Sequence, residues 1–170
     1  KWDWAKLENR IEFSLDGFRT VLPIKYFFYS PQENLVEKKR KPRIVMGARG
    51  CDARGLSLLS KIYLDDPEDP YFRKDVLIFT SDCTSFHQDC FCTLLGDKPW
   101  AEENFDLNFS TVSDGYLVQV GSDRGKDFLI DNSMYFVDAN PTILKSVEQS
   151  RTDMETKLKE HNNNKVLDLS

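Results

Sequence analysis

The chain has 170 residues, of which 40% are hydrophobic and 30% are charged, so it is neither disordered nor collagen-like nor of low complexity. Its formal net charge of −5 disfavours nucleic acid as a partner, because nucleic-acid-binding proteins normally present a basic face. The longest apolar run, residues 76–79, is too short to cross a bilayer, and no apolar signal segment opens the chain. We therefore expect a cytoplasmic globular protein that does not insert into membranes.

The N-terminal segment, residues 1–37, is rich in aromatic side chains, which we interpret as core residues or as cover for a sheet. Within it, residues 22–28 predict a short strand. The charged run over residues 37–42 indicates a solvated linker rather than a binding patch.

A strand–helix–strand unit follows the linker. Residues 43–47 predict a buried strand, residues 47–52 a tight turn, and residues 53–64 a helix whose apolar residues recur at spacings of three and four. Asp52 is placed to cap the start of this helix. Residues 75–80 form a second apolar run rich in β-formers, so we expect a βαβ unit with parallel strands and a right-handed crossover.

The rest of the chain predicts a β-meander or hairpin and then a helix. The strand candidates are residues 105–109, 116–120 and 127–130. Asn140 and Pro141 supply a cap and a first helical residue, and the helix is expected to fray over residues 161–164.

These elements together predict an α/β fold, with α+β as the alternative. We expect a βαβ unit in a mixed sheet, with a β-hairpin and a C-terminal helix. Residues 1–138 are expected to form the main domain, which carries all the cysteines. Residues 139–170 are expected to form a helix and a polar tail that act as a linker or docking element.

All four cysteines lie within one quarter of the chain, which suggests a shared site: Cys51, Cys83, Cys90 and Cys92. Cys51 comes shortly after the first predicted strand, and Cys83 comes shortly after the second. Because parallel sheets bind ligands at the carboxyl ends of their strands, we expect both thiols at the same edge of the sheet.

The cysteine spacing leaves several kinds of site open. Disulfides are disfavoured without a secretory signal. In an extended chain, alternate residues such as Cys90 and Cys92 lie about 6.6 Å apart, whereas sulfurs around one zinc ion lie about 3.8 Å apart. This spacing favours an iron–sulfur cluster, and a 4Fe–4S cube takes four thiolates. A zinc site on a bent backbone, buried free cysteines and a redox thiol pair remain alternatives.

The cysteine-bearing segments resemble those of a known family. The matching segments are Gly47-Ala48-Arg49-Gly50-Cys51-Asp52-Ala53-Arg54-Gly55-Leu56, Asp69-Pro70-Tyr71-Phe72, Asp82-Cys83 and Cys90-Phe91-Cys92-Thr93. Together they resemble the iron–sulfur electron-transfer subunits that include the β subunit of soluble sulfhydrogenases and the corresponding iron–sulfur subunit of anaerobic sulfite reductase. The resemblance runs from about residue 21 to about residue 125, and the chain lacks the proline that is typical of the family between Cys83 and Cys90.

The resemblance implies a non-catalytic electron relay to other redox subunits of flavin, iron–sulfur or hydrogenase type, with one 4Fe–4S cluster on the four cysteines. Family members usually continue into a ferredoxin-like module with two cysteine-rich motifs, but no cysteine follows Cys92. The chain also begins with lysine rather than methionine. We therefore expect either the N-terminal domain of a longer protein or a shortened relative without that module.

Further residues are candidates for the surroundings of such a cluster. Arg49 and Arg54 flank the first cysteine and would either balance the charge of the site and donate to its sulfurs, or pair with nearby aspartates. Asp52 is expected to be a helix cap first, with a charge role near the cluster second. Phe91 either shields the site from water or belongs to the core. His87 is either a polar loop residue or a replacement ligand.

Two other functions remain open. One is a zinc-stabilised or metal-free scaffold that docks subunits of a redox complex through the aromatic N-terminal segment and the final helix. The other is nucleotide binding at the βα turn, where Gly47 and Gly50 permit close backbone approach, although no Walker lysine follows.

Overall fold

The computed structural model describes residues 15, 23–28, 43–64, 69 and 72–163. Within this part of the chain, one mixed sheet contains β1 (Arg43–Ala48), β2 (Val76–Ser81), β3 (Leu107–Val112) and β4 (Gly115–Val120). The strands lie in chain order; β1, β2 and β3 are parallel, and β4 is antiparallel to β3. The helices are α1 (Gly50–Tyr63), α2 (Asp123–Asp131) and α3 (Pro141–Asn163), and 3₁₀ turns occupy Ile24–Phe27, Cys92–Leu95 and Ser133–Tyr135.

The predicted βαβ unit and α/β fold are confirmed. β1 and β2 pair in parallel and α1 connects them. One face of the unit buries a core cluster made of Phe28, Val45, Leu56, Phe72 and Val76. Burying one such side chain stabilises a fold by about 1.5–3 kcal/mol, so this cluster fixes α1 on the sheet.

The opposite face of β2 carries the second core cluster, because successive strand side chains point to opposite faces. Its buried members are Leu15, Phe79, Leu107 and Phe109. Phe128 of α2 packs against this cluster, with its ring edge-on to Phe79 at a centroid distance of 5.0 Å. The two clusters place the sheet between layers of apolar side chains.

The hairpin of β3 and β4 is confirmed, but the strand predicted over residues 127–130 is wrong, because these residues belong to α2. Ser122 caps this helix by accepting from the Gly125 backbone N–H over 3.1 Å. A Cβ atom at Gly125 would collide with the Asp106 carbonyl oxygen, so only glycine fits where the helix crosses this backbone. Gly125 is therefore required by the close contact between α2 and the Asp106 backbone.

The N-terminal predictions fall largely outside the described residues. The structure does not describe residues 1–14, 16–22 and 29–42. These ranges include most of the aromatic segment and the linker. The strand predicted over residues 22–28 is wrong where it can be compared, because Ile24–Phe27 is a 3₁₀ turn.

The C-terminal helix is confirmed and lies on the domain. Thr142 N–H donates to Asn140 Oδ1 over 2.8 Å, which is the predicted cap. α3 contacts β3, β4 and the turn Cys92–Leu95, and it buries Val147 and Leu158. The helix does not fray at residue 161 but continues to Asn163, and residues 164–170 are outside the described part. In the described residues, no helix is both long and apolar enough to cross a membrane.

Candidate functional site

A bulge at the end of β1 leads the chain into the first cysteine. The pairing with β2 shifts between Met46 and Ala48, and the intervening Gly47 has φ of +84°, a conformation that glycine adopts without strain. Arg49 is the N-cap of α1, and Cys51 lies in the first turn of the helix. The positive end of the helix dipole favours a thiolate at this place.

Asp52 has the predicted capping role from the third position of the helix. Its carboxylate Oδ2 accepts from the Arg49 backbone N–H over 2.9 Å. This bond closes the turn that carries Cys51, so the cap and the first cysteine are built by the same few residues.

The second cysteine lies just beyond the carboxyl end of β2. Cys83 N–H donates to the Pro99 carbonyl over 2.8 Å, and Asp82 N–H donates to the Phe109 carbonyl over 3.1 Å. Because β1 and β2 are parallel, Cys51 and Cys83 follow strand ends at the same edge of the sheet, as predicted.

The remaining two cysteines lie in the segment that returns towards α1. His87 backbone N–H points at the Cys90 sulfur over 3.3 Å, and Cys90 N–H donates to the His87 carbonyl over 2.9 Å. Cys92 begins the 3₁₀ turn Cys92–Leu95, which ends at Gly96 with φ of +80°. The segment is therefore shaped by local turns that hold two thiols on a short stretch of backbone.

The four cysteines are free thiols that lie within electrostatic reach of one another. Burial raises the pKa of the Cys83 thiol to about 12; Arg49 opposes this rise, while the other three cysteines add to it. Burial likewise raises the pKa of Cys51 to about 11, although part of the residue reaches solvent, and Asp52, Cys92 and Cys90 add to the rise. The fold thus brings four thiols near one another, and their ionised thiolate forms would repel one another.

Backbone N–H groups partly offset this repulsion. The Asp52 N–H lowers the pKa of Cys51, and the Thr93 N–H lowers that of Cys92, whose pKa remains raised chiefly by burial. Such N–H groups are donors to thiolate sulfur in iron–sulfur proteins. The donor chemistry of the site therefore fits a cationic group that takes four thiolates.

The positions of the side chains do not by themselves define a metal site. In the described ranges, no group of three or more His, Cys, Asp or Glu side chains is arranged to hold one metal ion. The hypothesis that the four cysteines hold a cluster or an ion therefore rests on two observations. The four thiols lie within electrostatic reach of one another, and backbone N–H groups donate to three of their sulfurs.

Arg49 binds the ends of several chain segments beside the thiols. Its Nη1 donates to Ser81 Oγ over 2.7 Å and to the Asp82 carbonyl over 2.5 Å, and its Nη2 donates to the Leu15 carbonyl over 2.9 Å. The guanidinium also lowers the pKa of Cys83. Arg49 thus joins β1, β2 and Leu15 and brings a positive charge to the site.

Arg54 and Phe91 lie farther out. Arg54 forms an ion pair with Asp97. Asp97 N–H donates to the Cys92 carbonyl over 3.0 Å, so this pair links α1 to the segment of the last cysteine. The side chain of Phe91 is 54% exposed and is not a core aromatic.

His87 is an exposed loop residue whose Nδ1 lies 2.8 Å from the Asp89 carboxylate. At Gly50, a Cβ atom would lie 2.5 Å from the Trp100 carbonyl oxygen, so the contact with this backbone already requires the glycine there. The glycines of the βα turn are therefore explained by packing and by the bulge, without a bound phosphate.

Sequence reasoning missed the part that α3 plays at the site. Arg151 pairs with Asp82, next to Cys83. Asn162 Nδ2 donates to Thr93 Oγ1 over 2.7 Å, next to Cys92. These partners are 69 residues apart in each case, so no local pattern could indicate them.

His161, expected in a polar tail, is instead part of α3 and contacts the cysteine segment. Its Nε2 lies 3.2 Å from the Gln88 carbonyl oxygen, and its ring centroid lies 5.0 Å from that of Phe86. Lys98 Nζ also contacts Glu155 of α3 at 2.6 Å. Helix α3 thus contacts the cysteine segment at several positions between residues 86 and 98.

Comparison with known proteins gives one relative and two negative results. No family model matches the chain, and no solved structure matches it. The β subunit of sulfhydrogenase 2 from Pyrococcus furiosus is 33% identical to it in an alignment of 150 residues that covers 81% of this chain and 44% of the relative. The chain thus spans less than half the length of this curated relative. Over the aligned region, the chain belongs to the sulfhydrogenase β-subunit-like family.

Proposed function

We propose that the chain is an electron-transfer domain of a multisubunit oxidoreductase and holds one 4Fe–4S cluster on Cys51, Cys83, Cys90 and Cys92. The observation that supports the proposal most strongly is that Cys51 and Cys83 follow the carboxyl ends of the parallel strands β1 and β2, and that all four free thiols lie within electrostatic reach of one another. The number of thiols equals the number of ligands that a 4Fe–4S cluster requires. The relative is named as a subunit of a sulfhydrogenase, which supports a redox role and redox subunits as partners.

The chain's own residues would orient and tune the site. A bound 4Fe–4S cluster supplies the capacity to take up and release one electron. The Asp52, His87 and Thr93 N–H groups point at cysteine sulfurs and would stabilise their charge. Arg49 would add positive charge beside Cys83, and net charge and hydrogen bonds to sulfur set the reduction potential of such sites.

The exposed face of the site is suited to the exchange of electrons with a partner subunit. Cys51 reaches solvent, and Phe91, Leu94 and Leu95 are 54%, 41% and 57% exposed beside the last two cysteines. A redox subunit of iron–sulfur, flavin or hydrogenase type would approach this side. The four unpaired thiols also suit a reducing compartment such as the cytoplasm.

Anaerobic reconstitution with iron and sulfide tests the proposal. We expect a brown protein that absorbs in the visible and gives an EPR signal after reduction. His87→Ala is the matched control, since it alters the same segment but leaves all four thiols, and it should retain the signal. Protein that binds zinc, or no metal, and stays colourless would overturn the proposal in favour of a scaffold domain.

A further inference from the structure

Arg151 and Asp82 form an ion pair between α3 and the carboxyl end of β2. Arg151 Nε donates to Asp82 Oδ2 over 2.8 Å, and Arg151 Nη2 donates to Asp82 Oδ1 over 3.1 Å. The side chains are only 18% and 11% exposed, respectively. Two parallel N–H donors to one carboxylate give a geometry that is both strong and directional.

The surrounding residues hold both partners in place. Asn108 Nδ2 donates to Asp82 Oδ1 over 2.8 Å. Arg151 Nη2 also contacts Ser110 Oγ at 3.3 Å and Gln119 Oε1 at 3.2 Å, and its guanidinium lies 5.4 Å from the Trp100 ring centroid. This one side chain of α3 therefore binds the end of β2 and the faces of β3 and β4.

The pair lies directly beside the candidate cysteine site. Asp82 is the residue before Cys83, and both line a cavity of about 300 Å³ together with Trp100 and Arg151. A largely buried carboxylate at this position opposes the addition of an electron to a neighbouring group, because its field is poorly screened. The guanidinium of Arg151 offsets that charge at the place where it arises.

We propose that Arg151 is a positioning residue that offsets the charge of Asp82 and thereby raises the reduction potential of the cluster held by the cysteines. The inference rests on the proposed function and deepens it, since it assigns to α3 a part in tuning the site. Arg151 acts through Asp82 and does not itself bind the cluster.

Redox titration of the reconstituted full chain, followed by visible absorption, tests this role. Arg151→Gln should move the reduction potential to more negative values, because reduction then takes place beside an uncompensated carboxylate. Asp82→Asn should move it to more positive values. The double variant Asp82→Asn/Arg151→Gln should return to the wild-type potential, since it removes both charges together.

Two further variants separate charge from structure. Arg151→Lys keeps the charge but loses the paired donors, so it should lose stability while staying close to the wild-type potential. Lys145→Gln removes an exposed positive charge from the same helix and should leave the potential unchanged. If Arg151→Gln does not fold, the opposite shifts are still readable from Asp82→Asn and the double variant.

The outcomes distinguish this inference from the proposed function. Wild-type protein that takes up no cluster overturns the proposed function and the inference together. A loaded Arg151→Gln variant at the wild-type potential, or a double variant whose potential differs from wild type as much as that of Arg151→Gln, overturns the inference alone. A negative shift in Arg151→Gln that the double variant reverses supports it.

Discussion

The Asn162 side chain donates from Nδ2 to Thr93 Oγ1 over 2.7 Å, and Thr93 directly follows Cys92. Asn162 is 1% exposed, although it lies one residue from the end of α3. Its Oδ1 is buried without a hydrogen-bond partner in the described part of the chain. The buried amide near the end of α3 thus connects this helix to the cysteine segment through a hydrogen bond.

Replacing this amide should weaken the attachment of α3 to the cysteine segment. We expect Asn162→Ala to lower the free energy of unfolding by about 1 kcal/mol, the net worth of one such hydrogen bond. Urea unfolding of the cluster-free chain measures the change. Asn163→Ala, at the exposed neighbouring position, is the control and should have little effect. Equal stability of the two variants would contradict the role given to Asn162.

Two glycines of α1 should respond in opposite directions to the same substitution. A Cβ atom at Gly50 would lie 2.5 Å from the Trp100 carbonyl oxygen, whereas a Cβ atom at Gly55 has no neighbour within 4 Å. Gly50→Ala should therefore destabilise by about 1–3 kcal/mol through overpacking. Gly55→Ala should stabilise by about 0.5–1 kcal/mol, because alanine favours a helix. Thermal unfolding measures both; shifts of the same sign would show that the close contact with Trp100 is wrong.

The arginines that flank Cys51 should differ sharply in their contribution to stability. Arg49→Gln removes the donors to Ser81, Asp82 and Leu15, so we expect a loss of at least about 2 kcal/mol. Arg54→Gln removes one ion pair whose arginine is 49% exposed, so the loss should stay below about 1 kcal/mol. Denaturant unfolding compares the two variants directly. Equal losses would contradict the assignment of Arg49 as the residue that joins the strand ends.

The contact between α3 and Lys98 should weaken in acid. Hydrogen bonds from Lys159 and Lys98 lower the pKa of Glu155. A carboxyl with a lowered pKa in the folded state stabilises the fold above its unfolded pKa, and this contribution is lost as the pH falls through the folded pKa. Wild type should exceed Glu155→Gln in stability by less than about 1 kcal/mol at neutral pH.

The difference between wild type and Glu155→Gln should vanish on acidification. Thermal unfolding of both proteins from pH 7 to pH 3 measures it. A difference that persists unchanged at the lowest pH would mean that the lysine contacts do not depend on the charge of Glu155.

The shared location of Cys51 and Cys83 was predictable because it depends on local patterns. Two apolar runs separated by a helical period define a parallel pair, and the cysteines follow the ends of those runs. The Asp52 cap is likewise a local feature of the helix start. What surrounds Cys51 in sequence therefore reveals where its thiol lies in the fold.

The role of α3 was not predictable, because it depends on contacts between distant residues. Arg151 lies 69 residues from Asp82, and nothing in the helical pattern distinguishes it from a solvated arginine. Gly125 is a second case: it permits α2 to approach the Asp106 backbone, a contact that the neighbouring sequence does not indicate. Long-range packing decided both cases.

The most direct measurement is the amount of iron and acid-labile sulfide bound per chain after anaerobic reconstitution, in the wild type and in single Cys→Ser variants. We expect about four irons and about four sulfides per wild-type chain. Substitution of Cys51, Cys83, Cys90 or Cys92 should lower the cluster content or alter the EPR signal of the reduced protein. Wild-type content and an unchanged signal in all four variants would contradict a cluster on these cysteines.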